Sequence, residues 1–346
     1  MSEMSIIIKN KKYEIIKELG KGGNGKVIQV LNTLDNKFYA IKEIEIKEDI
    51  RDKIKNIENE ANILSKFNCK NIVKYYDSYK DNKKFCILME YCDGQNLKDF
   101  IDKNKNKNEL IEENILYNII KQICIGIKEI HSKNIIHRDL KPENIFMNYN
   151  KEIKIGDFGI SKYFGGNKVY TTTLNKAGSI YYIAPEIIRK GIYNEKSDMY
   201  SLGCIIYELF NLNIYYNDKF DNEIKKIDSN IYNSKWQEII NSLSEIDHNK
   251  RKDINTVYDI ILNEININEL KIKINNLNIE KEKDGVKFIF KENFITPNPE
   301  EKFKHLLLEY EQTGEINFDD INKNFDLYYC FFVNEIISYI YDGKIK

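Results

Sequence analysis

The feature that most constrains this chain is a block of polar and charged residues at 137–144, followed by a second block at 157–159. The first reads HRDLKPEN and the second reads DFG. Asp139 offers a carboxylate that can accept a proton from an attacking hydroxyl, and Asn144 and Asp157 offer oxygen ligands suited to Mg²⁺. Lys141 stands two residues after Asp139, so on an extended loop it points the same way and can contact a phosphate. The two blocks predict phosphoryl-transfer chemistry.

A glycine-rich segment lies near the start of the chain, where residues 20–27 read GKGGNGKV. Glycines adopt positive φ readily and let backbone N–H groups approach phosphate oxygens without a side-chain clash. Dinucleotide-binding turns share this G-x-G-x-x-G spacing, but their third glycine begins a helix. Here the residues from Val27 to Val30 have the pattern of a strand, which favours a phosphate-covering hairpin.

Lys42 follows Gly25 by 17 residues and ends the apolar run YAIK at 39–42. A lysine at the end of an apolar strand is most often a surface residue whose aliphatic stem packs along its neighbours. The helical pattern that follows, however, carries Glu60. A strand lysine paired with a helix glutamate can hold phosphate oxygens at a fixed distance, so we expect Lys42 and Glu60 to pair.

The hydrophobic pattern predicts an α+β protein with two lobes. From Tyr13 to about Asp99 the chain alternates like strands, interrupted by one helix at 52–67, and from Leu97 to about Leu262 its apolar spacing is helical. A small β-rich lobe followed by a larger helical lobe is therefore expected, with a ligand cleft between them. We place this domain at residues 13–265.

Residues 266–346 are predicted to form a mostly helical C-terminal extension of unknown function. Charged and asparagine-rich sequence leads into a strand pattern at 286–290, and helix patterns follow at 300–312 and 325–342. No family is identified in this extension.

The sequence resembles the eukaryotic protein kinase family over about residues 13–262, through the glycine segment, Lys42, HRDLKPEN, DFG and the APE triplet at 184–186. The resemblance implies a bilobal kinase fold that uses ATP and Mg²⁺. It also implies pairing of Glu186 with Arg251, and anchoring of the catalytic loop by Asp198. The implied catalytic residues are Asp139, Lys141, Lys42 and Glu60, and the implied metal ligands are Asn144 and Asp157. The implied nucleotide-binding residues are Gly20, Gly22, Gly25, Val27, Ala40, Lys42, Glu90, Cys92 and Phe146.

The RDLKPEN form is typical of serine/threonine kinases, so Ser and Thr hydroxyls of proteins are the expected acceptors. Two alternatives stay open: an ATP-binding pseudokinase scaffold and a kinase of small molecules. The subgroup also stays open, because YDSY at 76–79 and GISK at 159–162 resemble NIMA-related kinases. In contrast, MEYC at 89–92 and YNEKSDMY at 193–200 resemble the translation-initiation-factor-2 alpha kinases.

The composition of the chain limits the classes of partner and the location that we expect. The 53 Lys and Arg residues nearly cancel 54 Asp and Glu residues, which argues against nucleic-acid binding. No apolar stretch is long enough to suggest a membrane span. Six scattered cysteines without a metal-like pattern predict an intracellular, cytoplasmic location. Thr171, Thr172 and Thr173 are candidate sites for phosphorylation by an activating kinase or by the protein itself.

Overall fold

The computed structural model of the protein describes residues 5–8, 11–22, 25–45, 51–80, 84–159, 161–163, 179–214, 226–262, 277–282 and 285–290. The chain divides into two compact units, residues 1–263 and residues 264–346. The predicted boundary at 265 lies close to this division, and its identity as a domain boundary stays a prediction.

An antiparallel six-stranded sheet begins the first unit. Its strands are β1 (Ser5–Ile8), β2 (Lys11–Gly22), β3 (Gly25–Asn32), β4 (Phe38–Glu45), β5 (Tyr75–Lys80) and β6 (Lys84–Glu90), in the order β1-β2-β3-β4-β6-β5. The alternation of apolar residues puts Ile28, Val30 and Ile41 on one face, where they are buried with Leu88. The β-rich first lobe predicted from the sequence is confirmed.

Helix α1 (Arg51–Leu64) lies between β4 and β5 in the chain and supplies Glu60 to the cleft. Ala61, Ile63 and Leu64 of its last turn are buried. The helix was predicted at 52–67; it ends earlier because residues 65–67 form a turn in which Lys66 N–H donates to the Ile63 carbonyl and Phe67 N–H to the Leu64 carbonyl. These i to i+3 bonds tighten the end of the helix.

The second lobe is largely helical, as predicted. It contains α2 (Leu97–Lys107), α3 (Glu113–Ser132), α4 (Pro185–Lys190), α5 (Glu195–Asn211), α6 (Lys235–Leu243) and α7 (Ile254–Ile260). Asn194 and Ser197 form a reciprocal capping box at the start of α5, and Gly191 ends α4 with φ 65°. Helix α5 is the centre of the lobe: most of its residues are buried, among them Leu202, Ile205 and Ile206.

Short strands hold the two polar blocks in place. Strands β7 (Gln95–Asn96), β9 (Ile145–Met147) and β10 (Ile153–Ile155) form one sheet in the order β10-β9-β7, and β8 (Ile135–Ile136) pairs with β11 (Lys162–Tyr163). Ile145, Ile153 and Ile155 are fully buried. The HRDLKPEN block therefore lies between β8 and β9, and DFG follows β10.

In the second unit the structure describes one hairpin, β12 (Leu277–Glu282) paired with β13 (Gly285–Phe290), in the register Leu277 to Phe290. The strand predicted at 286–290 is confirmed. Its partner was missed because residues 277–282 carry charges that hide the strand pattern. The helices predicted at 300–312 and 325–342 lie outside the described residues.

The length and the apolar character of the helices bear on the question of a membrane span. Within the parts of the chain that the structure describes, no helix combines the length and the apolar character that crossing a bilayer requires.

Candidate active site

The glycine-rich segment is the turn end of the β2–β3 hairpin, where Gly22 is the register partner of Gly25. Gly25 has φ 120°, and a Cβ there would collide with the Glu43 carbonyl oxygen of β4. Only glycine fits this backbone and this close approach. A strand, not a helix, follows Gly25, so the dinucleotide-binding alternative is excluded. Gly23 and Asn24 lie outside the described residues.

Lys42 connects three distant parts of the chain. Its Nζ lies 2.7 Å from Oε1 of Glu60 on α1 and 3.0 Å from Oδ1 of Asp157, which follows β10. Burial alone would lower the pKa of Lys42, but the charges of Glu60 and Asp157 outweigh it and raise that pKa. The ammonium therefore stays charged in an almost fully buried position. The structure brings Lys42 and Glu60 together as the sequence predicts.

The HRDLKPEN block folds into a compact polar cluster. Lys141 Nζ lies 3.2 and 3.0 Å from the two carboxylate oxygens of Asp139. The Asn144 side-chain amide donates to the Asp139 backbone carbonyl at 2.8 Å and to Oδ2 of Asp139 at 3.0 Å. These bonds fix the carboxylate of Asp139 and leave the amide oxygen of Asn144 directed away from it.

Helix α5 positions the backbone of this loop through Asp198. Its carboxylate accepts from the backbone N–H groups of His137 and Arg138, both at 2.9 Å, and lies 2.9 Å from Nε2 of His131. Burial alone would raise the pKa of Asp198, but the hydrogen bond and charge of His131 and the backbone donor of Arg138 hold that pKa below the ordinary value of a carboxyl group. These bonds support Arg138 at φ 73°, a conformation that is costly for a residue with a Cβ.

A second ion pair fastens α4 to the segment that precedes α7. Arg251 donates to the two carboxylate oxygens of Glu186 at 2.7 Å each, and both side chains are buried. Ser197 donates to the same carboxylate at 2.9 Å. This pairing and the anchoring by Asp198 were expected from the sequence, and both are present.

A cavity of about 360 Å³ opens beside Lys42, of the size that binds small ligands. It contains most of the residues predicted to bind a nucleotide or metal. The lining residues that were missed include Leu19 and Val73. Leu19 precedes the first glycine and could have been found from its position in the hairpin. No local sequence pattern identifies Val73, because its position at the cavity depends on a tertiary hydrogen bond from its N–H to the Ile155 carbonyl. The predicted residues that line it are Gly20, Gly25, Val27, Ala40, Lys42, Glu60, Glu90, Cys92, Asn144, Phe146 and Asp157.

The cavity's far wall is the end of β6 and the residues after it. Glu90 Oε1 lies 2.9 Å from Nζ of Lys154 on β10, and the same Nζ donates to the Lys70 carbonyl at 2.9 Å. Burial, reinforced by the charge of Glu90, raises the pKa of the neighbouring Cys92 thiol to about 12. The thiol is therefore neutral at this wall.

The donor set suits Mg²⁺ held together with a nucleotide. The part of the chain that the structure describes has no group of three or more His, Cys, Asp or Glu side chains that could hold a metal alone. Asn144 and Asp157 nevertheless both line the cavity, and Mg²⁺ is commonly bound by one or two protein oxygens and by substrate phosphates. Thr171, Thr172 and Thr173 lie outside the described residues.

Comparison with known proteins agrees with this geometry. The protein kinase domain family matches residues 13–309. A probable serine/threonine-protein kinase nek2 of Dictyostelium discoideum is 34% identical over 276 residues, which cover 76% of this chain and 65% of that protein. Serine/threonine-protein kinase Nek3 of Mus musculus is 36% identical over 197 residues, covering 57% and 37%. Nek5 of Homo sapiens is 37% identical over 202 residues, covering 58% and 28%.

The chain thus spans less than two thirds of the length of each of these relatives. All three carry the Nek name, which favours the NIMA-related resemblance over the initiation-factor-2 alpha kinase resemblance. The chain belongs to the protein kinase family, and the relatives that it resembles are serine/threonine-protein kinases that carry the Nek name.

Proposed function

We propose that this protein transfers the γ-phosphoryl group of ATP to Ser and Thr hydroxyls of protein substrates. The observation that carries the proposal is the ion pair of Lys42 with both Glu60 and Asp157, at 2.7 and 3.0 Å, on the wall of a nucleotide-sized cavity. A pairing that spans 115 residues of sequence is assembled only in the folded protein. A cation held on this wall supports the proposal, because it could bind oxygens of two phosphates of ATP.

Each residue of the site has a distinct task in this mechanism. Lys42, kept charged by Glu60, binds phosphate oxygens, and the glycine hairpin covers them with backbone N–H groups. Asp139 orients the acceptor hydroxyl and takes up its proton as the bond to phosphorus forms. Lys141, bonded to Asp139, lies where it can balance negative charge that develops on the transferred group.

Mg²⁺ is part of the proposal. Asn144 and Asp157 would hold it, and when bound it neutralises charge on the phosphate oxygens. The chain's contribution is to present those two oxygen donors on the lining of the cavity that also contains Lys42.

The location and activation of the protein are further parts of the proposal. The cysteines at 69, 86, 92, 124 and 204 are all free, which supports a reducing, cytoplasmic compartment. We also propose phosphorylation at Thr171, Thr172 or Thr173, by the protein itself or by an activating kinase. Mass spectrometry of the protein after incubation with ATP, beside the Asp139→Asn variant, separates the two routes.

Radiolabelled phosphate transfer tests the proposal. With γ-labelled ATP, Mg²⁺ and a general protein substrate, Asp157→Asn and Lys42→Met should each lower transfer by about 100-fold or more. The thermal unfolding temperature of Asp157→Asn should stay close to that of the wild type, whereas Lys42→Met leaves Glu60 buried without its cation and should unfold at a lower temperature. Asp259→Asn is the matched control, since Asp259 lies exposed on α7. It should transfer like the wild type.

The same assay distinguishes the alternatives. Stabilisation by ATP and Mg²⁺ without any transfer by the wild type points to a pseudokinase scaffold. Label on a metabolite, with none on protein, points to a small-molecule kinase. Wild-type-like transfer by Asp157→Asn refutes the roles assigned here.

A further inference from the structure

A buried carboxylate lies in the second lobe outside the nucleotide cavity. Glu208 of α5 is 1% exposed, and its two oxygens have different partners. Oε1 accepts from Lys98 Nζ of α2 at 3.0 Å, and Oε2 accepts from the Tyr182 hydroxyl at 2.5 Å. The lysine and the glutamate are 110 residues apart in sequence. Lys98 is thus the cation that balances Glu208.

This cluster lies beside the loop that carries Asp139. Helix α2 packs against the 3-10 turn Pro142–Asn144, which immediately follows Lys141. Burial raises the pKa of Tyr182, and the charges of Glu208 and of Glu143 in that turn raise it further, so the Tyr182 hydroxyl stays neutral. We therefore expect a protein segment that presents a hydroxyl to Asp139 to come near Glu208 and its neighbours.

The three acidic groups near Lys98 and Tyr182 differ in their exposure to solvent. Glu143 is exposed, and the Asp102 side chain, 3.0 Å from Lys98 Nζ, is 48% exposed. Water and salt screen both of these charges. Only Glu208 is desolvated, so among the three only its field is strong enough to select a cation.

We propose that Lys98 fills, from within the chain, the place that a cationic side chain of a protein substrate would take at Glu208. Lys98 thereby acts as a specificity-determining residue, and it makes the enzyme indifferent to a basic residue near the acceptor hydroxyl. The inference rests on the proposed function. The Lys98 side chain is 26% exposed, whereas that of Glu208 is 1% exposed, so solvent reaches the lysine more readily than the carboxylate.

Removing Lys98 should expose an unbalanced acidic site. In Lys98→Ala, Glu208 keeps its bond to Tyr182 but loses its cation, and a buried charge without a counter-ion is costly. A basic side chain of a bound peptide can supply that counter-ion through the space that the lysine leaves. The variant should therefore gain a preference that the wild type lacks.

Peptide phosphorylation measures this preference. The substrates are serine peptides with one Lys moved through each position around the Ser, compared with the same peptides carrying Ala. The wild type should use each Lys and Ala pair within about twofold. Lys98→Ala should favour Lys at one position by about five- to tenfold in kcat/KM, expressed in KM. Its kcat on the Ala peptides should stay within about twofold of the wild type.

Three further variants separate specificity from mere stability. Lys98→Arg should keep the wild-type profile, since it restores the cation. Lys98→Ala combined with Glu208→Gln should lose the new preference, since the acidic site is gone. Lys105→Ala, on the same helix but contacting Asn213, should leave the profile unchanged.

An unchanged charge profile in folded Lys98→Ala overturns the inference and leaves the proposed function standing. If Lys98→Ala does not fold, the wild type still decides. If the wild type prefers Lys at one position by fivefold or more, and Glu208→Gln removes that preference, the substrate and not Lys98 is the cation that pairs with this carboxylate, and the inference is wrong. If the wild type is indifferent to Lys at every position, the inference is supported. Absence of transfer to any peptide by the wild type overturns the proposed function and this inference with it.

Discussion

In the Glu186→Ala variant, the first unit should unfold at a much lower denaturant concentration than in the wild type. The variant leaves the Arg251 guanidinium buried, with backbone carbonyls such as that of Glu245, 2.6 Å from Nε, as its remaining acceptors. It also removes the nearer of the two acceptors of the Ser197 hydroxyl. Breaking one partner of a buried pair costs about 3 to 5 kcal/mol. A domain is typically stable by about 5 to 15 kcal/mol, so the loss should be a large fraction of the total.

Urea unfolding provides the measurement. Trp236 is the single tryptophan of the chain and is fully buried in α6, so its fluorescence reports the unfolding of the helical lobe. With a slope of about 3 kcal/mol per molar urea, the midpoint should fall by about 1 to 2 M. The matched control is Glu109→Ala, which breaks an exposed pair with Lys107 and should cost less than about 0.5 kcal/mol.

The double variant Glu186→Ala with Arg251→Met tests the origin of the loss. Because the second change removes the buried charge that the first leaves unpaired, the double variant should lose clearly less stability than the sum of the two single variants. A loss below about 1 kcal/mol in Glu186→Ala, or strict additivity in the cycle, would refute the reasoning.

Three other predictions follow from local features. Iodoacetamide should alkylate Cys92 about 100-fold more slowly than an ordinary thiol, because a pKa of about 12 leaves little thiolate. Mass spectrometry of the labelled peptide over time measures the alkylation rate, and the rate of an ordinary thiol would contradict the prediction. Gly25→Ala should cost about 1 to 3 kcal/mol in urea unfolding, whereas Gly20→Ala, whose Cβ meets nothing within 4 Å, should cost less; equal costs contradict the strain argument. Asp198→Asn should destabilise the protein at about pH 5, and by less as the pH falls below about 4. The direction follows because the pKa of Asp198 is lower in the folded state than in the unfolded state, so the stabilisation by its carboxylate is present above the unfolded-state pKa and is lost in acid. Urea midpoints of the wild type and the variant at several pH values measure this stabilisation, and a difference between them that grows in acid would contradict the prediction.

The parts of this site that could be predicted are those formed by residues that lie close together in the sequence. Asp139, Lys141 and Asn144 lie within six residues, so their clustering follows from one loop between two short apolar strands. The hairpin at Gly25 was predictable for the same reason, because glycine spacing and strand pattern are read over a few residues. The two-lobed outline followed from the change in hydrophobic period along the chain.

Features created by tertiary contact could not be predicted in this way. Val73 reaches the cavity through a backbone bond to Ile155, and Lys98 meets Glu208 across 110 residues. Neither contact leaves a periodic or spaced signal in the sequence. The strand Leu277–Glu282 was missed for a different reason, because its charges conceal the alternation that identifies strands.

The bond between Lys154 and Glu90 has a consequence for how the cavity responds to its occupant. Lys154 stands three residues before Asp157 in the chain, and its ammonium is fixed to Glu90 on the opposite wall and to the Lys70 carbonyl. The wall that would contact a base is thereby linked to the strand that leads to Asp157, the residue that would contact a metal. A ligand that shifts one of them should therefore shift the other, so the two ends of the cavity should respond to binding together.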